Sequence, residues 1–107
     1  MSVGLEKSLD FAVRIVNLYK FLVEEKREFV MSKQVLRSGT SVGAMLREGK
    51  HAESDVDFIH KFAIAQKECS ETLYWLELMV KTEFITKDQY DSLYNDANEL
   101  MRLITVV

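Results

Sequence analysis

Apolar residues recur every three or four positions through four successive segments of this chain, and strand-like alternation is sustained in none of them. At about 100° per residue, that spacing collects side chains into stripes along helix faces. Proline, the residue that most reliably interrupts a helix, is absent. A chain of 107 residues, 48% hydrophobic and 29% charged, matches one compact domain in size and composition. Four amphipathic helices joined by short connections must run antiparallel to their neighbours. The expected fold is therefore all-α, an antiparallel up-down-up-down four-helix bundle, with residues 1–107 as a single domain.

The first helix is expected from about Leu5 to Glu25, and it carries two adjacent stripes. One comprises Leu5, Leu9, Ala12, Val16, Tyr19 and Val23, the other Phe11, Ile15, Leu18 and Leu22. So wide an apolar face implies contact with more than one neighbour. The charged cluster Glu24–Glu28 reads as a solvated turn, with Ser32 as the expected cap of a second helix running to about Lys50. The core stripe of that helix is Val35, Val42 and Leu46. Its middle, Ser38-Gly39-Thr40-Ser41-Val42-Gly43-Ala44, is poor in helix propensity, each interior glycine costing about 1 kcal/mol relative to alanine. Small residues there predict close approach of a neighbouring helix; no glycine-rich phosphate-binding pattern is present. A third helix is expected from Ser54, capped with Asp57, to about Lys81, with a core stripe of Phe58, Phe62, Ala65, Cys69, Leu73, Leu76 and Val80. A Thr86-x-x-Gln89 capping box opens a fourth, burying Tyr90, Leu93, Tyr94, Ala97, Leu100, Met101 and Ile104.

Few chemistries fit these residues. Cys69 is the only cysteine, so neither an intramolecular disulfide nor a cysteine-based zinc site is expected, and a reducing, cytoplasmic location fits. Charge follows the N-terminus too soon for a signal peptide, and the longest uncharged run, Ser38 to Leu46, is too short to span a bilayer, so no membrane association is expected. A di-iron bundle needs two Glu-x-x-His motifs, whereas the chain has two histidines and the nearest match is Asp57-Phe58-Ile59-His60. His51 with Asp55 supplies too few ligands for a metal site. Cys69, on a core stripe, reads as a small buried hydrophobe, and no catalytic residue, cofactor or small-molecule substrate is expected.

Two surfaces remain. On the third helix Ile64, Tyr74, Trp75 and Leu78 fall opposite the core stripe, where aromatic and aliphatic residues mark interfaces. They are the expected contact for self-association. Charge is also uneven: the net −3 combines a local −1 over 1–25 with six basic against two acidic residues over 26–52, a local +4, and eleven acidic against five basic over 53–107, a local −6. Lys33, Arg37, Arg47 and Lys50 of the second helix are the expected contact for a neighbouring subunit or for an RNA, DNA or nucleoprotein partner.

The run Arg37-Ser38-Gly39-Thr40-Ser41-Val42-Gly43-Ala44-Met45-Leu46-Arg47-Glu48, followed by Asp57-Phe58-Ile59-His60-Lys61 and by Lys67-Glu68-Cys69-Ser70-Glu71-Thr72-Leu73-Tyr74-Trp75-Leu76, closely resembles the bacterial 23S rRNA intervening-sequence (S23) proteins. The likeness extends from about Leu5 to Leu103, with Met45 standing where many members carry Asn. It implies an antiparallel four-helix bundle that assembles in several members as a ring-like homopentamer, with no enzymatic activity established. A related branch, the accessory variability proteins of diversity-generating retroelements, forms basic pentamers that bind nucleic acid and a reverse transcriptase. The acidic balance of this chain carries that role across only weakly.

Overall fold

A reciprocal pair of hydrogen bonds starts the last helix: Thr86 N–H donates to Gln89 Oε1 at 2.8 Å, and Gln89 N–H to Thr86 Oγ1 at 3.1 Å. The third helix opens similarly, with Ser54 Oγ accepting from Asp57 N–H at 3.1 Å. In the computed structural model, which describes residues 2–105, the elements are α1 (Ser2–Glu24), α2 (Met31–Lys50), α3 (Asp55–Lys81) and α4 (Lys87–Thr105). No strand occurs among the described residues. The expected four helices and their boundaries are thus observed to within a few residues.

The start of α2 differs from expectation. Glu28, not Ser32, is its cap: the Glu28 carboxylate accepts from the N–H groups of Val30, Met31 and Ser32 at 3.1, 3.0 and 2.7 Å. A carboxylate there also meets the positive end of the helix dipole. Burial raises the Glu28 pKa, but the backbone donors together outweigh it and hold the group below the ordinary glutamate range. The Ser32 hydroxyl is instead buried and without a hydrogen-bond partner.

The helices pack in cyclic order, α1 beside α2, α2 beside α3, α3 beside α4, and α4 back against α1. Contacts fix the antiparallel sense of each seam, with Ser38–Thr72 and Glu48–Lys61 across α2 and α3 and Cys69–Ala97 and Gln66–Ile104 across α3 and α4. Gly39 and Gly43 of α2 face Ile15 and Ser8 of α1, while Arg14 pairs with Asp96 and Lys7 with Glu99 across α1 and α4. Those two ion pairs are well exposed and contribute at most about 1 kcal/mol each. The core holds the Phe11-Ile15-Leu18-Leu22 stripe of α1 with Val35, Val42, Leu46, Cys69, Leu76, Leu93, Leu100 and Ile104. In α3 the buried face turns slightly from the expected stripe, so that Thr72 and Met79 are fully buried and Leu73 and Val80 half-buried.

The small residues of α2 serve as expected. A Cβ on Gly39 would lie 2.7 Å from Ile15 Cγ1, so the helix axes there are closer than alanine allows. On the opposite side Ser38 and Thr72 hydroxyls meet at 2.9 Å within the α2/α3 seam.

Candidate functional site

The two surfaces singled out in the sequence converge on the α2/α3 seam. Arg37 bonds Glu71 Oε2 and Glu68 Oε1, at 2.5 and 3.3 Å. Glu71 also accepts from the Trp75 indole N–H at 3.0 Å. The indole bond is the largest cause holding the Glu71 carboxyl below its usual range; burial opposes it and Arg37 reinforces it. Arg37 is therefore neutralised within the chain, and the expected basic face reduces to Lys33, Arg47 and Lys50, all exposed and without an ion pair among the described residues. Trp75 is half-buried against the edge of the core, and Ile64 and Leu78 are also half-buried. Tyr74 alone of the four is open, 54% exposed and edge-on to Trp75 at 5.0 Å.

A further surface lies on α1. Phe11-Ile15-Leu18-Leu22 forms the core face; of the other stripe Leu5 packs partly buried against the core, while Leu9 and Val16 stay 55% and 36% exposed, with Val13 beside them. Leu9 and Ala12 meet Thr40, Gly43 and Ala44 of α2 in a groove of about 270 Å³, with Arg47 on its lining. The doubled stripe was the sequence signal for this surface; Val13 carried none.

The opposite face, between α3 and α4, holds a cup of about 320 Å³ lined by Tyr74, Tyr90, Tyr94, Leu73, Ser70 and Glu77. The Tyr90 and Tyr94 rings are 5.5 Å apart and tilted by 38°. Burial, and next the nearby Glu77 charge, raise the Tyr90 pKa. Tyr90 and Tyr94, expected in the core, stand at its margin: Tyr90 packs half-buried against the core while Tyr94 is 37% exposed, and both rings line the cup.

Other polar groups serve the fold. Cys69 is buried, its thiol pushed up to about 11 by desolvation, and it donates to the Ala97 carbonyl at 3.4 Å. Thr40 and Ser41 hydroxyls bond backward to the carbonyls of Leu36 and Arg37. Among the described residues no three His, Cys, Asp or Glu side chains cluster as a metal site, and no helix is long and apolar enough to cross a membrane.

A comparison with curated proteins finds no match. Among solved structures, the chain is similar to a protein of unknown function from the S23 ribosomal protein family of Bacteroides thetaiotaomicron VPI-5482, at 61% identity over 94% of each chain, with a TM-score of 0.94. No catalytic family is indicated. The family model described as 23S rRNA-intervening sequence protein matches residues 3–106, and the chain, with its four-helix fold, belongs to that family.

Proposed function

We propose that this protein is a non-enzymatic, self-associating four-helix scaffold of the cytoplasm, a homo-oligomer whose surfaces serve assembly and partner recognition. The observation that carries this reading is the uncovered apolar row of α1, Leu9, Val13 and Val16, with exposures of 55, 54 and 36%. A contiguous row of that kind on a small soluble bundle marks an interface. The groove beside it and the tyrosine cup lie on opposite faces, α1/α2 against α3/α4, so a contact joining them is head-to-tail. Head-to-tail contacts close into rings when successive copies are rotated. The ring-like pentamer implied by the family resemblance is one such form.

Self-association is favoured over a nucleic-acid interface because Arg37 is already paired with Glu68 and Glu71. Light scattering coupled to size exclusion tests the proposal. The wild type is expected to run as a multimer at micromolar concentration, and Leu9→Asp with Val13→Asp, both on exposed positions, to lower the mass while preserving helicity. A monomeric wild type refutes the reading. Tight, salt-dependent binding of ribosomal RNA fragments by that monomer would replace it with the nucleic-acid reading.

A further inference from the structure

The two opposed surfaces are complementary in more than apolarity. The α1/α2 groove is floored by small and aliphatic side chains and carries one cation, Arg47. The α3/α4 cup is walled by three tyrosines and carries one anion, Glu77. Neither charge is balanced within the chain: among the described residues Arg47 and Glu77 take part in no ion pair, although Lys7, Arg14, Arg37, Lys61 and Lys87 all do. The tyrosine faces are likewise unoccupied by a cation among the described residues, where the cation–π contacts are Lys26 over Phe21 and Arg27 over Phe29. An aromatic wall with a carboxylate at its rim is suited to a guanidinium, which stacks on rings while bonding the carboxylate through its planar fork.

Building on the self-association reading, we infer that the cup receives Arg47 of a second copy of this chain, with the Arg47 guanidinium against Tyr74 and Tyr94 and its fork on Glu77. The neighbouring apolar row of the incoming α1 then covers the exposed tyrosine edges. The contact is directional, because the donor and acceptor surfaces lie on opposite faces. They are also offset along the bundle: the groove uses residues 5–12 and 40–47, toward the end where α1 begins, and the cup uses 70–77 and 90–94, toward the α3/α4 turn. In a closed ring this offset tilts each bundle axis relative to the ring axis.

A charge swap in the full-length protein tests this pairing, read by light scattering and by a dilution series of the dissociation constant, with helicity checked by circular dichroism. Glu77→Arg alone and Arg47→Glu alone are each expected to weaken assembly by about tenfold or more, and the double swap to recover most of the loss. Tyr94→Ala is expected to weaken assembly in the wild type and to have a smaller effect when Arg47 is already Glu. If the wild type assembles but the single swaps leave its mass and dissociation constant unchanged, this contact is overturned while the scaffold reading stands. If the singles weaken assembly and the double fails to recover it, direct pairing of the two residues is overturned. A wild type that never assembles overturns both. Should either swap lose helicity, Glu77→Gln and Arg47→Gln give a cycle without charge reversal, in which direct pairing predicts that the double substitution weakens assembly no more than either single, and additive losses overturn it.

Discussion

Gly39→Ala is expected to destabilise this protein, although alanine is the better helix former. In isolation the substitution gains about 1 kcal/mol of helix propensity. Against that, the added Cβ would lie 2.7, 2.9 and 3.1 Å from Cγ1, Cγ2 and Cδ1 of Ile15. Ile15 is fully buried and β-branched, so its χ1 cannot swing the contact away, and overpacking of this kind costs about 1–3 kcal/mol. The net loss is then up to about 2 kcal/mol, a fall of roughly 4–8 °C in Tm for each kcal/mol. The decisive measurement is a double-mutant cycle by urea or thermal unfolding at fixed protein concentration. Ile15→Ala alone should cost about 2–5 kcal/mol by leaving a cavity. It also removes all three atoms that crowd Gly39, so in that background Gly39→Ala should reverse sign and stabilise by up to about 1 kcal/mol. Stabilisation by Gly39→Ala in the wild-type background would refute the close-approach account, as would a loss of equal size in both backgrounds.

Three further outcomes follow from local geometry. Glu83 ends α3 with a left-handed backbone, φ 68°, while Phe84 N–H donates to the Met79 carbonyl at 2.9 Å, so Glu83→Gly should stabilise by about 1 kcal/mol in the same unfolding assay. Because the Glu28 pKa is lowered in the folded state, its contribution is fully present above the ordinary glutamate value and is lost as pH falls through the lower folded one; Glu28→Gln should cost about 1 kcal/mol at neutral pH and flatten that acid limb. Cys69, buried with its thiol pushed up to about 11, should resist a thiol-specific reagent at pH 8 until the protein unfolds, and rapid labelling of the native state would contradict its core placement.

Helix number and extent, and the caps of α3 and α4, were legible in the sequence because they depend on local periodicity and on partners three residues apart. Ser54 and the Thr86–Gln89 pair are examples. The site was less legible. Periodicity showed that α1 has two apolar stripes but not which one faces inward, since that rotation is set by how Ile15 seats against Gly39 on another helix. Ser32 was the natural cap by residue type, yet Glu28 reaches the same backbone donors from the turn, and the packing of α2 sends the Ser32 hydroxyl inward.

The sequence by itself determined an all-α chain of four amphipathic helices with a small-residue face on the second, because hydrophobic spacing and side-chain volume are properties of neighbouring residues. The tertiary structure alone decided which charges remain available. Arg37 meets Glu68 and Glu71 only when α2 and α3 pack side by side, a pairing across more than thirty residues, whereas Arg47 lines a groove and Glu77 a cup on the opposite face. Coulombic pairing acts over a few ångströms in space, and only the packed helices bring such distant positions within that range.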